Sequence, residues 1–386
     1  MQEVAGASGR RRLDSLTGAR FLAAGLVFFC HLATSGFFVP GSAPATGLMT
    51  ATKTAGTVGV SFFFVLSGFV LTWSVRPADT YGGVLRRRLV KIFPNHLLTY
   101  ALAMVVYASA FTPLGTALLN LLLLQAWSSD PMVFLSVNGA SWSLSCELLF
   151  YVLFPLLLPL LRRIPARRLW WWAGGVAAAV MLMPLVAALL PAGQTLPRTG
   201  SWLDGVSIER LWLVYIFPPV RLLEFALGIL MARIVQSGRW IALRPAWTGL
   251  LVVAAYVLGL YTPMLFTVAA VTVVPLALFV ASLAQADSAD AGTPLATPLM
   301  RRLGEASFAF YLIHGIVLEY AGELLVREHR APSTGQGVVV SLLTLAVSLA
   351  LALAIHQWFE TPLVRWFGRP RPRPVVPAEA GSSLGR

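Results

Sequence analysis

Arg20 and His31 bracket the segment RFLAAGLVFFCH, in which a guanidinium and an imidazole enclose ten residues that carry no charge. Eleven steps of about 100° return to within about 20° of the starting direction, so on a helix both side chains share one face, roughly 16 Å apart. The guanidinium, at the cytoplasmic edge, can hold a phosphate; the imidazole, near the midplane, can take a proton from a hydroxyl. Such groups at bilayer depth are costly and mark a site by default.

Other clusters offer complementary chemistry. In SWSLSCELLFY (141–151), Ser143, Glu147, Phe150 and Tyr151 fall on one side of a helix entering from the outer surface. Glu147 is then expected at the depth of His31, where a carboxylate would fix the imidazole tautomer and stabilise the imidazolium formed on proton transfer. In SFAFYLIHG (307–315), Ser307, Tyr311 and His314 share a face at i, i+4 and i+7. Ser143, Tyr151, Ser307, Tyr311 and His314 are therefore candidates to contact substrate or an oxyanion. In LRRRLVKIFPNHL (85–97), Arg87, Arg88 and Lys91 precede Pro94, and Arg88 and Lys91, three apart, can clamp an anion from one face. A charge-rule anchor is the plainer account of that cluster. Arg221 and Glu224 in RLLEFALG read as a structural ion pair.

The elements that must position these groups are membrane helices. Of 386 residues, 57% are hydrophobic and 12% charged, the balance of a polytopic membrane protein. Apolar runs of spanning length occupy 20–39, 56–75, 92–112, 142–161, 169–190, 211–232, 246–261, 264–284, 305–326 and 337–359. The run at 114–127 is short for a crossing and reads as re-entrant or interfacial. The expected fold is an all-α transmembrane bundle of about ten spans. Residues 1–13 are a cytoplasmic segment, 14–366 the membrane domain and 367–386, RPRPVVPAEAGSSLGR at their end, a disordered cytoplasmic tail.

The net charge of +13 is topological. With both termini in the cytoplasm, the basic residues of 1–20, 76–91, 162–168, 233–244, 301–302 and 365 onward lie inside. Only Lys53, Arg198, Arg210, Arg327 and Arg330 lie outside, as the positive-inside rule requires. That distribution gives no reason to expect nucleic acid. Arg10, Arg11 and Arg12 before an apolar run, with SAPA at 42–45, resemble a secretory signal, but the run exceeds the usual about 7–15 residues. Cys30 and Cys146 read as buried thiols; no metal site is expected. Only Lys53 and Lys91 are lysines among 29 basic residues, a bias of GC-rich bacterial coding, which points to a bacterial plasma membrane.

Five patterns together resemble the integral-membrane acyltransferase family 3: Arg-x10-His at 20–31, the basic pair before IFP, SxSLxxExxFY, RLxEFxxG and SxxxYLxH. The likeness runs from about Asp14 to Arg365. It implies transfer of an acetyl or short acyl group from acyl-CoA, acetyl-CoA first among them, to a hydroxyl. No cofactor would be bound permanently. His31 would be catalytic as the general base, and Arg20, Arg88 and Lys91 would bind the donor. Lys91 stands where the family more often has arginine, and it binds phosphate as a point charge rather than a fork. The acceptor implied is a macrolide-type antibiotic hydroxyl or, alternatively, a sugar of surface polysaccharide or lipid-linked glycan. The competing class is a transporter with a buried His/Glu path, which the lack of an internal repeat disfavours.

Overall fold

A computed structural model describes residues 12–76, 78–196, 203–327 and 333–367. The expected cytoplasmic segment up to residue 11, the tail from 368, Arg198 and Arg330 lie outside the described residues. Ten long helices follow one another: α1 Asp14–Ala33, α2 Ala55–Ser74, α3 Tyr81–Val106, α4 Trp142–Arg162, α5 Leu169–Ala188, α6 Pro218–Gln236, α7 Pro245–Leu260, α8 Val273–Ser288, α9 Pro298–Arg327 and α10 Thr334–Ile355. Each overlaps one expected span, although α3 begins well before the expected 92 and α8 well after the expected 264. Eight are long and apolar enough to cross a membrane; α7 and α8, with 16 residues each, are shorter apolar helices. No strand forms among the described residues. Outer faces of α5, α7 and α10 present Trp171, Leu182, Val253, Leu258, Leu342 and Leu343, surface that water would penalise and hydrocarbon accepts.

The first helix departs from expectation. It starts at Asp14 rather than Arg20 and ends at Ala33, ahead of Gly36, whose φ is +77°. Its polar first turn is retained because Asp287 of α8 accepts from the Ser15 N–H (3.0 Å) and Ser15 Oγ (2.5 Å), placing a carboxylate at a positive helix terminus. His31 consequently sits in the last turn of α1 and not near the middle of a span.

Close backbone contacts fix α1 against α9 and α2 against α6. A Cβ on Gly304 would meet the Thr17 carbonyl at 1.8 Å, and one on Gly68 the Phe225 carbonyl at 2.0 Å. Small residues at these positions let helices pack by direct backbone approach.

Between α3 and α4 the chain folds inward and returns. Short helices form at Leu114–Leu121 and Pro131–Phe134; Leu123, after the first, and Val137, between the second and α4, both have positive φ. Asn120 Nδ2 donates to Ser136 O (2.6 Å), Gln125 Nε2 to Ser141 Oγ (3.1 Å) and Asn138 Nδ2 to the Leu312 carbonyl of α9 (2.9 Å). Irregular backbone at such depth is sustained only where protein groups satisfy it. The run at 114–127 is thus too short and too bent to cross, as its length implied. In consequence α4 begins below the surface of the bundle, with Ser141 and Trp142 buried.

Candidate active site

One cavity of about 110 Å³ collects most of the residues singled out by chemistry. Arg20 of α1, Arg88 and Lys91 of α3, and Glu147 and Tyr151 of α4 line its polar part. Phe63, Phe64 and Ser67 of α2, with Phe308 of α9, wall it, and Ser143 and Tyr311 also line it. Arg88 donates to Ser74 Oγ (3.3 Å), and Tyr151 donates to Glu147 Oε2 (3.0 Å). Three cations therefore share a partly apolar cavity with one lining carboxylate, a field that concentrates anions.

Glu147 is not beside His31. Because α4 starts inside the bundle, this carboxylate is carried down to the level of Arg20 and the basic pair, where its partner is Tyr151. Arg87 is also elsewhere: it pairs with Asp79 at 2.8 Å in the loop preceding α3. Ser307 donates to its own helix at Gly304 O (2.7 Å) and stays out of the cavity.

Beyond Tyr311 stands a pair of imidazoles. His31 Nδ1 and His314 Nε2 are 2.8 Å apart, with the rings stacked at 16° and a 5.0 Å centroid separation. His314 is fully buried against Phe28 and Phe310, and its Nδ1 lies 3.0 Å from the Phe310 carbonyl. Neither histidine lines the cavity; the Tyr311 and His314 ring centroids are 6.1 Å apart, one helical turn. At that end Ser143 Oγ and the Tyr311 hydroxyl are 2.9 Å apart, and both can donate to Ala140 O (3.0 and 3.2 Å). Two hydroxyl protons serve this carbonyl and each other, so either can turn to a third acceptor with one bond exchanged.

The site thus has three tiers: cations with Glu147, a hydroxyl pair, and an imidazole pair. A family model described as an acyltransferase domain matches residues 13–354. The chain belongs to acyltransferase family 3. It is also 42% identical over 380 residues to acyltransferase MdmB of Streptomyces mycarofaciens, an alignment spanning 96% of each chain. No solved structure matches. This protein is therefore a multi-pass O-acyltransferase of that family.

Two neighbours of the site escaped the sequence reading. Glu360, buried in the wide turn His356–Glu360, accepts from Asn95 Nδ2 (2.9 Å), with His356 Nδ1 at 3.4 Å. Asn95 lies four residues after Lys91, one turn along the same face of α3; that spacing was the available signal. Arg221 and Glu224 form the expected ion pair, at 2.8 Å with each side chain 1% exposed. The Arg221 guanidinium also lies 5.0 Å from the ring centre of Phe64, and so braces the cavity wall.

Proposed function

We propose that this protein moves an acetyl or short acyl group from acyl-CoA to a hydroxyl of a macrolide-type antibiotic, with His31 as general base. The observation that carries the reading is the cavity running from Arg20, Arg88 and Lys91 to Ser143 and Tyr311, one turn short of His314, whose ring stacks on His31. Arg20, Arg88 and Lys91 would hold the phosphates of CoA, with the pantetheine arm directed along the cavity toward the hydroxyl pair. The acceptor hydroxyl attacks the thioester carbonyl, forming the C–O bond as its proton passes to His31. Ser143 or Tyr311 exchanges its bond to Ala140 O for one to the developing oxyanion. Collapse breaks the C–S bond, and the electron pair leaves on sulfur, which takes the proton back from His31.

A macrolide is preferred over a glycan on the full-length likeness to a Streptomyces acyltransferase and on the arginine-rich coding. The charge asymmetry of the loops supports a bacterial plasma-membrane protein whose cationic tier opens to the cytoplasm.

The test uses membranes carrying the protein, labelled acetyl-CoA, and either macrolides with free hydroxyls or membrane glycan as acceptors. Release of CoA with a labelled macrolide, abolished by His31→Ala, is expected. Labelled glycan alone would move the assignment to polysaccharide. Absence of CoA release with every acceptor would leave transport as the better account.

A further inference from the structure

We infer that His314 is the positioning residue for His31, holding it in the tautomer whose Nε2 is free to accept a proton. This deepens the reading of His31 as base and rests on it. A carbonyl oxygen only accepts, so the contact to Phe310 O places a proton on His314 Nδ1. A second proton on that ring would put a cation, 0% exposed, between Phe28 and Phe310 with no carboxylate in contact among the described residues, at a large desolvation cost. His314 Nε2 is therefore a lone pair. Its 2.8 Å neighbour, His31 Nδ1, must supply the hydrogen. With the Nδ1 proton so committed, a neutral His31 carries its free lone pair on Nε2.

His314 thus takes the place that the sequence reading gave to Glu147. When the acceptor's proton arrives at His31 Nε2, the ring becomes an imidazolium, and its Nδ1–H to His314 Nε2 becomes a charge-assisted hydrogen bond. The proton that reaches the leaving thiolate comes from Nε2, so Nδ1 and His314 are unchanged at the end of the cycle. The bond also stops the ring from turning about its Cβ–Cγ axis, which would exchange the faces of the imidazole. His314 is itself fixed by its bond within α9, and α9 by the Gly304 contact to α1.

Three substitutions separate this role from packing. Glutamine places an amide oxygen near the position of His Nε2 and can still accept from His31. Asparagine ends near the position of Nδ1, keeping the Phe310 contact without reaching His31. Leucine fills the space and accepts nothing. With purified protein in lipid nanodiscs, acetyl-CoA is titrated against a fixed mixture of hydroxylated macrolides and CoA release is followed. His314→Asn and His314→Leu are expected to lower kcat by about 10²-fold or more while KM for acetyl-CoA stays within about twofold. His314→Gln should recover at least about tenfold of that loss. Equal losses in all three, or wild-type turnover in His314→Asn or His314→Leu, would overturn the inference. Turnover that survives His31→Ala would instead overturn the function on which it rests.

Discussion

His31 is set apart by what its Nδ1 touches, the Nε2 of His314 at 2.8 Å, and that was the part least legible in the sequence. The Arg-x10-His spacing correctly set both residues on one helix, and Arg88, Lys91, Glu147, Tyr151, Ser143 and Tyr311 do meet in one cavity with Arg20. The pairing of Glu147 with His31 failed because depth was inferred from the start of an apolar run, whereas α4 begins inside the protein. The residues now separate into tiers with separable kinetics. On the proposed donor, Arg88→Ala should raise KM for acetyl-CoA at least tenfold with a smaller change in kcat, since contacts to its phosphates would be made equally in ground and transition states. Tyr311→Phe should do the reverse, lowering kcat by about 10²-fold if its hydroxyl serves the oxyanion. Arg87→Ala should leave both parameters near wild type. Arg87 serves Asp79: burial raises that carboxyl, but the Arg76 N–H and the Arg87 guanidinium outweigh it and hold it below its ordinary range. A depressed carboxyl stabilises the fold above its unfolded value, so this loop should loosen only as pH falls below about 4, seen as faster proteolysis near residue 76.

At the scale of helices, hydropathy located every long element, and what it misplaced were ends. The first turn of α1 is polar, DSLT, and reads as a cytoplasmic leader until Asp287, from a helix some 270 residues later in the chain, caps it. No local pattern reports such a partner. The turns at Leu123 and Val137, which set where α4 starts, likewise depend on a web of Asn120, Gln125, Asn138 and Ser141 that only the folded chain assembles. Gly304 tests how strictly the helices must approach. Since an added Cβ would lie 1.8 Å from a backbone oxygen of α1, Gly304→Ala must push α1 and α9 apart. It should cost about 2 kcal/mol and lengthen the His31–His314 contact, so thermal stability in detergent and kcat should fall together.

For the molecule as a whole, charge is sorted rather than abundant. Among the described residues one guanidinium–carboxylate pair, Arg221 with Glu224, is buried; removing only the cation should cost about 3–5 kcal/mol, because it strands a carboxylate. Arg221→Met should accordingly reduce folded protein in the membrane, measured by fluorescence-detected gel filtration, and Glu224→Gln in the same chain should restore part of it. The basic residues of the cytoplasmic loops set direction. A cysteine introduced at Ser237, between α6 and α7, should react with an impermeant maleimide in inverted vesicles and not in intact cells. The two ends of the site are joined by eleven residues of continuous helix, about 16 Å of rigid rod. Such a rod is a yardstick for the donor: a thioester clipped to N-acetylcysteamine would keep its acyl carbon but leave the cationic anchor empty, so it should react slowly and be indifferent to Arg88→Ala.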